Sequence, residues 1–187
     1  MMKYILSVLA VCLLLGTAQA QTTISDENVQ LRDLKGFTKV NVSGGIRVLL
    51  SQSAEETVGV SCSKSEFTND IKTEVKNGTL YIYFKPARFT TAMRNIALRA
   101  YVSFKNLSDL DLSGACNATI TDNWKADKIR IDLSGASNFK GNVDVGELRI
   151  SQSGASDITV SGKAGDVKMD LSGASDFKGF ALETQNC

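Results

Sequence analysis

The sequence contains no histidine. That absence removes the commonest general base and metal ligand, so Ser-His-Asp and Cys-His catalysis and zinc-histidine sites are excluded in their usual forms. An excess of charge of either sign is also lacking: removing residues 1–20 takes away Lys3 and leaves 20 basic against 20 acidic side chains. Neither nucleic acid nor an anionic membrane is an obvious partner on that balance, since both need a basic surface. Cysteine is sparse. Beyond residue 20 only Cys62, Cys116 and Cys187 remain, too few for a disulfide framework, although one Cys62 to Cys116 bridge stays open. The apolar run near the start, Tyr4 to Leu15, is shorter than the roughly 18 residues a membrane-spanning helix needs.

That run follows Lys3 and precedes Gly16-Thr-Ala-Gln-Ala20, the charged, apolar and Ala-x-Ala layout of a secretory signal peptide. Cleavage is expected before Gln21. Lipidation at Cys12 is less consistent with the bulky Val11 before it. Nothing after Glu27 resembles a second span, so the exported chain is expected to be soluble or peripherally attached.

What the sequence has in quantity is repetition. Asp111-Leu-Ser-Gly-Ala-Cys-Asn117 returns as Asp132-Leu-Ser-Gly-Ala-Ser-Asn138, as Ser151-Gln-Ser-Gly-Ala-Ser-Asp157 and as Asp170-Leu-Ser-Gly-Ala-Ser-Asp176. Spacings of 21, 19 and 19 residues between Ser113, Ser134, Ser153 and Ser172 are those of stacked structural repeats. Before each serine the apolar residues alternate: Leu110 and Leu112; Ile129, Ile131 and Leu133; Leu148 and Ile150; Val167, Met169 and Leu171. Alternation turns them to one face and the intervening Asp or Arg to the other. Gly114, Gly135, Gly154 and Gly173 are expected to turn a corner, with the following alanine facing inward. Ile120, Phe139, Ile158 and Phe177 would form a second inward ladder. Gln152, where the other repeats carry leucine, needs partners in the core or must twist outward.

Upstream, alternation on both sides of Ser43-Gly-Gly45 predicts two strands joined by a tight bend, followed by a strand over 57–61. Residues 63–70 fit one or two helical turns capped by a serine. Asn77-Gly78 predicts a hairpin between strands over 71–75 and 79–84. Residues 85–95, with the only proline at Pro86, read as a loop, and 97–104 alternates as a strand. The expected architecture is all-β: a β-rich N-terminal part, residues 21–108, continuing into a short right-handed parallel β-helix over 109–187 with rungs of about 19–21 residues.

Three segments together carry a family resemblance: Val40-Asn-Val-Ser-Gly-Gly-Ile-Arg-Val48, Val75-Lys-Asn-Gly-Thr-Leu-Tyr-Ile82 and the Ser-Gly-Ala-Ser phrases. Over roughly residues 33–180 the chain resembles the auto-transporter adhesin, head GIN domain proteins of Bacteroidetes-type bacteria. Arg47 departs from the Asn that the family name leads one to expect after Gly45-Ile46. The resemblance implies an exported, β-rich protein with β-helical rungs and a role at the cell surface.

For chemistry, the column Asn117, Asn138, Asp157 and Asp176 is the first candidate, since stacking would set Asp157 and Asp176 about 5 Å apart. Such a pair can bind Ca²⁺ or act as acid and base on a glycosidic bond. Its fourfold repetition favours a hydrogen-bonded ladder at a corner instead. Tyr81 and Tyr83 point to one side of a strand and could stack on a sugar ring, as could Tyr101 and Trp124. Cys116 stands where later repeats have serine and reads as a small buried substitute. Neither an enzyme nor a cofactor or metal is expected. The leading function is a non-enzymatic adhesin that recognises a carbohydrate or protein through Tyr81, Tyr83, Asp157 or Asp176. An envelope structural component in the periplasm, self-associating through the open end at Phe180–Cys187, and a carbohydrate-active β-helix enzyme are the alternatives.

Overall fold

The computed structural model describes Asp26 and residues 28–187. The signal segment expected over residues 1–20 and the start at Gln21 lie outside the described residues. In chain order the strands are β1 (Gln30–Arg32), β2 (Lys39–Ser43), β3 (Ile46–Gln52), β4 (Thr57–Cys62), β5 (Ile71–Lys76) and β6 (Thr79–Phe84). They continue as β7 (Leu98–Phe104), β8 (Asp109–Ser113), β9 (Asn117–Leu133), β10 (Asn138–Gln152), β11 (Asp157–Leu171) and β12 (Asp176–Asn186). All join one sheet, which curls into a nearly closed, barrel-like wrap. The class is all-β.

Most of the pairing is parallel. Strand β2 lies between β6 and β8, β3 lies between β7 and β9, and β9 to β12 follow side by side. Asn117, Asn138, Asp157 and Asp176 are successive register partners, so each repeat sits on the one before it. The sheet also runs unbroken past residue 108, because Ser43 pairs with Ser113 and Arg47 with Asn117. Val42-Ser-Gly-Gly-Ile46 is thus a corner of the same kind as the later ones, which its divergent second half conceals in the sequence.

Alternation fills the core as expected. Leu80, Val40, Leu110, Ile131 and Ile150 form one inward column across five strands, all with at most 1% exposure. Ile82, Val42, Leu112 and Leu133 form the next, and Gln152 continues it. Trp124, the only tryptophan, closes the core between Phe104 and Phe139 in edge-to-face contacts and donates its indole N–H to the Leu107 carbonyl at 3.0 Å.

The corners explain the repeated phrase. Gly114, Gly135, Gly154 and Gly173 all have φ between +72° and +83°, a region that side chains with a Cβ disfavour. They are also packed tightly. A Cβ on Gly154 would lie 2.6 Å from the Gly135 carbonyl oxygen. The alanines after them are exposed, contrary to expectation. Their N–H groups point back along the stack, as Ala155 N–H does to Gly135 O at 2.8 Å, and the inward site falls one residue later. There Ser137 and Cys116 are fully buried and fold back onto the carbonyls of Ser134 and Ser113.

Other expectations are corrected by the pairing. Phe139 stacks on Ala118 rather than Ile120, because the 21-residue repeat inserts its extra length at 120–122 and Ile120 packs one step further along. The helical turn is a 3-10 segment, Ser65–Asp70, preceded by Lys64 with no side-chain cap. The Asn77-Gly78 hairpin forms with both residues at positive φ, 49° and 73°, as a type I′ turn requires. Among the described residues Cys62, Cys116 and Cys187 are unpaired.

Candidate functional site

Alternation that sends leucines inward sends another set outward on the same strands. Tyr81, Asn41, Asp111, Asp132, Ser151 and Asp170 are successive register partners on β6, β2, β8, β9, β10 and β11. Two residues earlier on five of these strands, β2 and β8 to β11, Lys39, Asp109, Arg130, Arg149 and Lys168 form a parallel, mainly cationic row. Beside the first row, the corner serines Ser113, Ser134, Ser153 and Ser172 complete a groove of about 630 Å³.

The charges in this groove are not equivalent. Arg130 donates from Nε to Asp132 Oδ2 at 2.7 Å, which leaves the Oδ1 of Asp132 buried and without another partner among the described residues. Asp111 faces it from the neighbouring strand. Burial first, and then the hydrogen bond and charge of Asp132, push the Asp111 carboxyl up to about 6. A carboxyl that takes up a proton there becomes the donor that Asp132 lacks. Arg149 and Lys168 are committed elsewhere, since both reach Glu147 together with Lys128. Arg149 first, and then Lys128, hold the Glu147 carboxyl down at about 2.

At the centre of the groove the acidic row is interrupted by Ser151, so Asp132 and Asp170 stand two strands apart, about 10 Å, with a hydroxyl between them. Gln152 beside it points into the core with 2% exposure. Its Nε2 donates to Ser156 O at 2.9 Å and Asp176 O at 3.2 Å. Its side chain therefore belongs to the corner rather than to the groove.

Tyr81 and Tyr83 are half-buried on β6; Tyr81 extends the groove's row past Asn41, while Tyr83 donates its hydroxyl to Glu74 at 3.3 Å. Asp157 and Asp176 are register partners, but they lie beyond the corner and outside the groove. Asn138 donates to Asn117 at 2.9 Å in the same column, which is ladder bonding, and Lys178 lies 3.9 Å from Asp157. The tyrosines and this pair are not brought together. Trp124 and Tyr101 are not free to stack on a ligand: Trp124 is buried, and Tyr101 donates its hydroxyl to Asp26 at 2.7 Å. Burial raises the pKa of the Cys116 thiol, as befits an unreactive core residue. Asp111 and Asp132 escaped the sequence reading because an aspartate facing out of a strand resembles any solvated one; the signal lay in their common phase next to the Ser151 break.

The model of the family described as "Putative auto-transporter adhesin, head GIN domain" matches residues 36–187. The chain belongs to this family. As a head GIN domain protein it has structural neighbours of low sequence identity that share its fold. One is a protein described as a putative adhesin from Parabacteroides merdae, with TM-score 0.70, 15% identity, and coverage of 84% of this chain and 74% of that one. A second, described as a putative adhesin from Parabacteroides distasonis, has TM-score 0.64 at 20% identity, covering 84% and 75%. A third, described as a putative lipid binding protein from the same species, has TM-score 0.61 at 18% identity, covering 85% and 76%. No curated protein matches this head GIN domain chain. Among its described residues no helix is long and apolar enough to cross a membrane.

Proposed function

We propose that the protein is a non-enzymatic, exported binding module, an adhesin whose groove takes a hydroxyl-rich ligand, with an envelope or host carbohydrate as the best-fitting class. The groove lined by Asp111, Asp132, Ser151 and Asp170 carries this reading. Carboxylates and a hydroxyl repeated at the strand spacing of about 4.8 Å offer a row of acceptors to the hydroxyls of a sugar chain, and Arg130 adds a donor. Tyr81 would supply a ring at one end of the track. Membership in an adhesin family supports export and a role at the cell surface. The stacked repeats support reading residues 109–187 as a short right-handed parallel β-helix. Asp157 and Asp176 are a separate, weaker candidate surface.

Binding of the purified protein to a broad glycan array, followed by calorimetry on any hit, tests the assignment. Asp132→Ala and Asp170→Ala should each weaken binding at least tenfold, whereas Asp157→Ala should leave it unchanged. Loss on Asp157→Ala alone would move the site beyond the corner. Polysaccharide cleavage abolished by Asp132→Asn would replace the binding module with an enzyme. Protease accessibility on intact cells, against a periplasmic control, distinguishes the surface from the periplasm.

A second reading, self-association through β12, is favoured by the 99% exposure of Phe180 on that strand, which among the described residues pairs only with β11. Light scattering across a concentration series, with Phe180→Ser as the variant, tests it.

A further inference from the structure

The balanced charge of the whole chain hides a local segregation. Between β6 and β7, residues 85–97 carry Lys85, Arg88 and Arg94 and no acidic residue. Phe89 sits among them with 83% exposure. Arg88 and Arg94 are exposed and enter no ion pair with another described residue. Nearby, Lys64 donates to the Ala92 carbonyl at 2.5 Å and so brings a fourth cation against the loop. Glu66 and Asp70 lie on the adjoining 3-10 segment, and Glu74 on β5 is close enough to Lys85 to feel its charge.

The loop is held at its base. Lys85 N–H donates to Asp70 O at 2.8 Å, Ala97 N–H donates to Ser63 Oγ at 2.9 Å, and a 3-10 turn over Thr91–Met93 stiffens its second half. Residues 86–90 therefore project from a fixed frame with Arg88 beside Phe89. An exposed phenyl ring on such a projection is unfavourable in water, and an unpaired guanidinium is free to bind phosphate bidentately.

We propose that this loop is a contact for an anionic phospholipid surface, with Phe89 entering the headgroup boundary and Arg88, Arg94 and Lys85 engaging the phosphates of net-negative headgroups. Charge complementarity and the projecting ring select this partner. A nucleic acid would call for a basic groove with several stacking rings, and the loop offers one ring on a convex turn. The inference is independent of the groove, since no residue of this loop lines it.

The test is co-sedimentation of the purified protein with vesicles of phosphatidylcholine alone and of phosphatidylcholine with about one-third phosphatidylglycerol. Binding should appear only with the anionic vesicles and weaken as salt rises. Arg88→Ala and Arg94→Ala should each lower the partition coefficient about fivefold. In Phe89→Trp the new indole emission should shift to the blue on anionic vesicles, against the constant signal of buried Trp124. Unchanged thermal unfolding of the variants would exclude a folding defect. Equal binding to both vesicle types, no binding to either, or binding unaffected by the arginine substitutions would overturn the proposal. So would tighter binding to a single-stranded oligonucleotide with the same arginine dependence.

Discussion

Asp111 lies directly opposite Asp132 on the adjacent parallel strand, both on the outward face and both in the groove. Two carboxyls so placed repel when ionised, and burial adds to the cost. The folded-state pKa of Asp111, about 6, lies above its ordinary value of 3.8. Its protonated form is thus preferred in the fold, and the associated stability is present below pH 4 and lost as pH rises through 6. Asp111→Asn should remove this dependence. Scanning calorimetry should find the variant about 2–4 °C more stable than wild type at pH 7.5 and no more stable at pH 4.

Asp26 shows the opposite sign. Hydrogen bonds from Ser61 and Tyr101 lower its pKa, so its contribution is present above the ordinary carboxylate range and lost as pH falls through the folded value. Asp26→Ala leaves the buried Ser61 hydroxyl without this acceptor and should cost about 2 kcal/mol at pH 7. Hydrogen exchange should rise first in β4 and β7, which Asp26 joins through Ser61 and Tyr101. Equal exchange in the two proteins would show that the contact holds nothing in place.

Gly154→Ala sets a methyl group against the Gly135 carbonyl at a backbone angle of +81°. A loss of about 2 kcal/mol is expected, read as a lower urea midpoint with unchanged slope. Gly36 is a control: its φ is +76° but nothing lies within 4 Å of an added Cβ, so Gly36→Ala should cost less.

Gln152→Leu should stabilise the protein by about 1 kcal/mol. The Gln152 Oε1 is buried without a partner among the described residues, the Ser156 carbonyl also accepts from Asp176 N–H, and the neighbouring column residues are leucines. A lower melting temperature in the variant would mean that the corner depends on the Gln152 amide.

Much of this fold was legible because period-two alternation leaves little choice of face. Leu110, Ile131 and Ile150 had to share a side, and Asn77-Gly78 had to turn. The inward site at the corner was not legible. Whether Ala136 or Ser137 faces the core depends on the positive φ of Gly135, which rotates the chain by an amount that hydrophobicity does not encode; the polar residue is buried because its hydroxyl satisfies a local carbonyl. The groove was hidden for a related reason. Asp111, Asp132 and Asp170 are unremarkable singly, and their meaning comes from Asn41 and Ser151 joining the same row through strands distant in sequence. The family resemblance, by contrast, was carried by short phrases that the corners themselves require.

The corner column also governs how the chain can change in length. Repeats of 19 and 21 residues coexist because the two additional residues swell out at 120–122, where Asp122 accepts from Gln52 N–H at 3.2 Å. A single residue inserted between Gly135 and Phe139 would turn every later side chain over, while a whole copied unit placed between two corners would leave each ladder intact. Growth and shrinkage by unit duplication are therefore mild operations for this architecture, and single-residue frameshifts of register are severe ones. Relatives should differ in the number of units more readily than in the spacing within a corner.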